Sequence, residues 1–218
     1  MFHEVDWSLV WKATGETVYM VGISTFFTAL FGIPLGILLV VTDRGQLAAQ
    51  PWLQKIVAVF VNFFRAVPFI VLVLFLFPVA QFLVGTTLGP TAATIPLIAG
   101  AAPFYARMVE TAVREVDKGV IEAARAMGST KWRVVMRVLL PEATPALVSG
   151  LTVTCVTLIS FSAMAGVVGG GGLGDAAYRF GFQSFNNSML VVCGILLVLL
   201  VQIVQWGGDR LSRRLDKR

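Results

Sequence analysis

Residues 66–106 read AVPFIVLVLFLFPVAQFLVGTTLGPTAATIPLIAGAAPFYA and contain no charged side chain. A helix crossing the hydrocarbon core of a bilayer needs roughly 20 predominantly apolar residues, so this run has room for two. The cluster Gly85-Thr86-Thr87-Leu88-Gly89-Pro90 in its middle reads as the turn between them. Working outward, residues 17–42, 143–174 and 180–208 are also uncharged. None of these runs alternates apolar and polar residues as a barrel strand would, so the spans are expected to be helices. The pattern predicts an all-α integral membrane protein with five spans, at residues 19–41, 56–83, 92–109, 145–168 and 189–205. Arg65 interrupts the second. Either that helix begins near Ala66 with Arg65 at the interface, or Arg65 snorkels outward from its first turns. Both make it an anchor.

The composition agrees: only 13% of the residues are charged, about half the share in an ordinary soluble domain. The net charge of +5 is explained by placement, without nucleic acid. Arg44, Lys55 and Arg65 lie in or beside the first long connection. Arg107, Arg114, Lys118, Arg125, Lys131, Arg133 and Arg137 follow the third span. Arg210, Arg213, Arg214, Lys217 and Arg218 form the tail. Only Lys12 and Arg179 fall on the other side. Such asymmetry puts the basic side in the cytoplasm. With an odd number of spans, the N-terminus is expected outside and the basic tail, residues 208–218, inside. His3, Glu4 and Asp6 replace the basic start of a signal peptide, so no cleaved leader is expected. Cys155 and Cys193 fall within spans and read as packing residues, with no disulfide or metal spacing.

The connection at about residues 110–141 is patterned. Asp117 suits a helix start and Gly128 a left-handed stop. Val120, Ile121, Ala124 and Met127 share one face, while Glu122 and Arg125 lie on the polar side within pairing reach. Farther on, Trp132, Val135, Met136 and Leu139 share a face beside basic Lys131, Arg133 and Arg137, which suits a helix along the inner membrane surface. Pro141 would mark re-entry into the membrane. On periodicity alone, such a loop could merely seal the surface. The small Ala123 and Ala124 beside Glu122 favour close entry into another protein's groove.

Glu122-Ala123-Ala124, followed after three residues by Gly128 and after nine more by Val138, then Leu140-Pro141, resembles the EAA loop of type I ABC importer permeases. Val138 departs mildly from the Ile the family prefers. The likeness extends over residues 13–207 and is nearest to the permease subunits of methionine importers. It is carried also by Asn62-Phe63-Phe64-Arg65-Ala66-Val67-Pro68-Phe69-Ile70, by Gly100-Ala101-Ala102-Pro103-Phe104-Tyr105-Ala106-Arg107-Met108-Val109-Glu110, and by Phe161-Ser162-Ala163-Met164-Ala165-Gly166.

The resemblance implies a type I ABC importer transmembrane domain over residues 13–207. Its loop would form a coupling helix docked in a cleft of the ATPase subunit. Glu122, Ala123 and Ala124 would then make the contact, Gly128 would end the helix, and Leu140 and Pro141 would set the return into the fourth span. It further implies two copies of this chain, two ATPase subunits holding ATP and Mg, an extracytoplasmic methionine-binding protein, and the bacterial inner membrane. The expected cargo is methionine, D- or L-; another amino acid or small solute is the alternative. No cofactor or catalytic site is expected in this chain.

Other chemistry is sparse. Gly169-Gly170-Gly171-Gly172-Leu173-Gly174 lacks the Lys-Ser/Thr of a phosphate-binding loop. It reads as a flexible turn or as a hinge near the outer gate. No Asp or Glu sits in the apolar core of a span, which weighs against a proton- or sodium-coupled carrier. No filter motif or charge ring indicates a channel, and a single histidine without paired carboxylates weighs against a membrane enzyme. Pro34, Pro68, Pro78, Pro96 and Pro103 kink spans without further assignment. The fourth span is the candidate lining of a solute route at a two-fold axis. Phe161, Ser162 and Met164 near its outer end suit an amino acid bearing a thioether, unless they only pack against neighbouring helices.

Overall fold

The computed structural model describes residues 5–216, and those residues form an all-helical bundle. His3, Glu4, Lys217 and Arg218, which entered the charge and terminus arguments, lie outside the described residues. Helix α1 (Trp7–Val41) begins where the Asp6 carboxylate accepts from the backbone N–H groups of Ser8 and Leu9, twelve residues before the expected span. Its Gly32 and Gly36 lie against α4 (Pro90–Arg114). A Cβ at Gly36 would stand 2.5 Å from Val109 Cβ and 2.6 Å from the Ala106 carbonyl oxygen. This small-xxx-small spacing lets two backbones approach closely. α4 is the most buried of the long apolar helices, and α1 makes its most extensive packing against it.

The second span differs from the expectation of one helix over residues 56–83. It is two helices, α2 (Pro51–Ala66) and α3 (Phe69–Val84), bent by 109°. Pro68 excludes the α conformation from the residue before it, and Val67 is extended at φ −74°, ψ 125°. Apolar composition on both sides conceals the bend, because hydropathy carries no direction. Arg65 sits exposed in the last turn of α2, where a positive charge complements the helix dipole. α2 buries only Val57 and Val61 and leaves Trp52, Ile56, Val59, Phe60 and Phe63 exposed. Among the described residues four helices are each long and apolar enough to cross a bilayer; α2 and α3 qualify together as a fifth.

After α5 (Lys118–Ala126) and α6 (Lys131–Val134), a π-helical turn at Val135–Leu139 leads directly into α7 (Leu140–Ala165). The expected surface helix with re-entry at Pro141 is therefore corrected: residues 131–165 are one continuous rod. The π turn explains how Pro141 is tolerated. Leu140 N–H reaches back five residues to the Val135 carbonyl, and the widened turn relieves the crowding that a proline ring imposes on an α-helical carbonyl.

α7 ends in a second π turn. It breaks at Val168 and at Gly169, where φ is +88°. Gly171 and Gly172, also at positive φ, turn the chain into the short α8 (Gly172–Ala176). α9 (Asn187–Leu215) closes the bundle and runs unbroken through Arg210, Arg213 and Arg214. Gly208 lies against Thr152, and Ser212 Oγ donates to the Pro145 carbonyl at 2.9 Å, so the end of α9 stays on α7.

Candidate functional site

Helix α5 is defined at both ends by the residues expected to do so. The Asp117 carboxylate accepts from Gly119 N–H at 2.6 Å. At the other end Gly128 adopts φ +77°, with its N–H on the Arg125 carbonyl and Ser129 N–H on the Ala124 carbonyl. A residue with a Cβ is strained in that conformation, although open space surrounds it. Ala124 is buried in the cluster that includes Val113, Val116 and Val134, and Ile121 packs on its edge. Glu122 and Ala123 point out. Glu122 makes no ion pair among the described residues, so its pairing with Arg125 is not formed.

Large apolar side chains flank this helix without cover. Met127 is 80% and Trp132 71% exposed, and Val120 and Met136 are exposed as well. The shared faces expected from periodicity are thus divided: Ile121, Ala124, Val135 and Leu139 face the body, and the others face out. Lys118, Arg125, Lys131, Arg133 and Arg137 are all exposed around them. Leu140 packs partly on the same cluster, and Pro141 is exposed at the start of α7. An apolar patch rimmed by charge, carried on a rigidly capped helix, has the composition of a protein-docking surface.

The three candidate route residues do not converge. The Phe161 ring stacks on Phe69 of α3, with centroids 4.2 Å apart and planes 5° from parallel. Ser162 is buried and donates to the Ile159 carbonyl at 2.7 Å. Met164 is exposed.

Two polar arrangements escaped the sequence argument. At the C-terminal end of α4, Arg107, Glu110 and Arg114 form a network with Asn62 and Asp43. The Arg114 guanidinium, followed by the Arg44 backbone N–H, holds the Asp43 carboxyl below its ordinary range. At the opposite end of α1, the Glu16 carboxylate accepts from Gly172 N–H at 2.8 Å and Thr17 Oγ1 from Leu173 N–H at 2.9 Å. The only sequence signal was the polar residues themselves, at or near span edges. Among the described residues no cluster of His, Cys, Asp and Glu could hold a metal ion.

Residues 32–217 match the family described as binding-protein-dependent transport system inner membrane component. The chain is 45% identical to the D-methionine transport system permease protein MetI of Escherichia coli strain K12 over 218 residues, covering all of both chains. It is 46% identical to the methionine import system permease protein MetP of Bacillus subtilis, covering all of this chain and 98% of that one. A solved chain of the MetNI methionine ABC transporter in an inward-facing conformation superimposes with a TM-score of 0.96 at 44% identity, over the full length of both.

Proposed function

The chain belongs to the family of inner membrane components of binding-protein-dependent transport systems, and from that premise we propose that it is the permease subunit of an ATP-driven methionine importer. Its relatives at about 45% identity are named for methionine transport, and methionine, D- or L-, is the cargo assigned here. Two copies would enclose the route, with two ATPase subunits on the cytoplasmic side and a methionine-binding protein outside. ATP and Mg belong to the ATPase subunits. The basic residues orient the assembly: α5 and the end of α9 inside the cell, the start of α1 outside.

The observation that carries this reading is the exposed face of α5. Glu122 and Ala123 would enter a groove of the ATPase subunit, with Met127 and Trp132 covering its rim. Ala124 keys the helix into the body, and Gly128 ends it so that the chain can turn into the rod of residues 131–165. Leu140 and Pro141 stand where that rod becomes the span. Closure of the ATPase subunits would then push on α5 and reach α4 and α7, the helices it joins. Met164, the exposed member of the candidate trio, is the side chain assigned to the route. Phe161 and Ser162 support it from the packed side.

The test is reconstitution with the ATPase and binding protein, followed by uptake of labelled methionine in competition with each amino acid. Unlabelled methionine should suppress uptake and leucine or histidine should not; equal suppression by all would remove the assignment. In the same preparation Gly128→Val, costing roughly 1–2 kcal/mol at a left-handed position, should leave the chain inserted but reduce its recovery with the ATPase. Normal recovery and uptake would sink the docking role of α5.

A further inference from the structure

Two stretches that mark the family likeness, residues 62–70 and 100–110, are left without a role by the docking surface and the route. The structure ties them together. Arg107 of α4 donates from Nη2 to Asn62 Oδ1 of α2 at 2.8 Å, and from Nη1 to the Glu110 carboxylate. Arg114 donates to that same carboxylate from Nε at 3.1 Å and Nη2 at 3.0 Å. Its Nη2 also donates to Asp43 Oδ2 at 2.7 Å, in the connection between α1 and α2. The result is a chain of five side chains, Asn62, Arg107, Glu110, Arg114 and Asp43. Glu110 is its buried centre, 8% exposed and shared by two guanidinium groups. Two carboxylates balance two guanidinium groups, which makes burial of the central charge tolerable.

This chain of side chains links α4 to α2 and to the turn that precedes it. Asp43 belongs to a turn closed by its own backbone bonds, Ala48 N–H to the Val41 carbonyl and Gln50 N–H to the Thr42 carbonyl, and α2 starts at the next residue. Arg114 therefore holds the start of α2 through that turn, while Arg107 holds its fourth turn through Asn62. Beyond Arg114 the chain reaches α5 within four residues. The apolar hold on α2 is slight, since Val57 and Val61 are its only buried residues. Directional polar contacts thus decide whether α2 follows α4.

We propose that this network is the clasp by which movement of α5 is delivered to α2 and, through the bend at Pro68, to α3. The five residues are positioning residues for energy coupling, and the inference rests on the docking role given to α5 above. A purely structural role predicts a less stable protein with unchanged coupling. A coupling role predicts more ATP hydrolysed per solute imported in an assembly that is otherwise intact.

The experiment uses the complete complex in liposomes and measures ATP hydrolysed per methionine taken up. Asn62→Ala, at an exposed position, and Asp43→Asn, at a half-buried one, should assemble with the ATPase in normal amounts and raise that ratio about threefold or more. Asp43→Glu, which keeps the acceptor charge, should restore most of the coupling lost in Asp43→Asn. Hydrogen exchange gives a second readout: the nucleotide-dependent change in protection of the α2 amides should vanish in Asn62→Ala. A wild-type ratio in both variants, or α2 protection that still follows nucleotide in Asn62→Ala, overturns the clasp. Failure of the docking role would appear elsewhere, as normal ATPase recovery by Gly128→Val, so the two ideas fall separately.

Discussion

The two ends of this bundle are held by different kinds of contact. At the C-terminal end of α4, polar side chains from three separate segments are linked through Glu110, and backbone takes part only where Asp43 accepts from the Arg44 N–H. At the other end of α1, side chains grip backbone: Glu16 and Thr17 hold the N–H groups of Gly172 and Leu173. Glycines there let main chains touch. A Cβ at Gly166 would stand 2.4 Å from Asp175 N, and one at Gly174 2.3 Å from the Ala163 carbonyl oxygen. Long side chains can exchange partners while the helices that carry them shift. Backbone in contact with backbone cannot give way. The first arrangement suits a part that moves in each cycle, and the second suits a fixed corner at the end of the fourth span.

The largest expected effect tests that corner. Gly174→Ala adds one methyl group against main-chain atoms of Ala163, and neither side can move without breaking the turn. Overpacking of this kind costs about 3 kcal/mol or more. Size-exclusion chromatography after detergent extraction should recover little assembled complex. By contrast Gly128→Ala meets open space and bears only the backbone strain of positive φ, about 1–2 kcal/mol. Recovery of Gly174→Ala at the wild-type level would show that the corner gives way.

A smaller effect isolates the side-chain grip on that corner. Thr17 is buried, and its hydroxyl serves Leu173 N–H. Thr17→Val keeps the shape and leaves that buried donor without its partner, at about 1–3 kcal/mol. The melting temperature of the purified complex should fall, with the ratio of ATP to solute unchanged. Asn62→Ala should do the reverse, changing the ratio with little loss of melting temperature. If Thr17→Val altered coupling as strongly as Asn62→Ala, this corner would be part of the moving machinery too.

The difference between the ends also explains what could be read in the sequence. α5 was legible because caps and polar faces obey short-range rules: Asp117 and Gly128 act on neighbours within a few residues. The apolar helices were legible in approximate place, because burial in lipid demands long apolar runs. The break at Pro68 was not, since the apolar runs on either side conceal a change of direction. The continuity of residues 131–165 was missed because Pro141 argues for a break, and only the π turn before it shows how the helix continues. Asp43 and Asn62 could not be assigned, since their partners lie 71 and 45 residues away. Nor could Glu16, whose partner Gly172 is 156 residues distant. Ser162 looked available for a solute, but a serine on a helix has a carbonyl of the preceding turn within reach, and here that of Ile159 accepts its hydrogen bond.

The smallest effect probes the rim of the clasp through pH. The Arg114 guanidinium hydrogen-bonded to Asp43, and after it the Arg44 N–H, lower this carboxyl's pKa from the ordinary 3.8. Between the lowered value and 3.8 the unfolded chain binds the proton that the folded chain refuses, so stability rises with pH across that window. The contribution is fully present above 3.8 and is lost as pH falls through the folded value. Asp43 and Arg114 are each about a third exposed as side chains, at 31% and 38%, so water screens the pair and its worth is below about 1 kcal/mol. The melting temperature of the wild-type complex should therefore exceed that of Asp43→Asn by a small margin at neutral pH. That margin should stay level down to about pH 4 and close only below it. A margin that closed already between pH 7 and pH 5 would mean that a group other than this carboxylate governs it, and a margin that widened in acid would reverse the sign of the pairing.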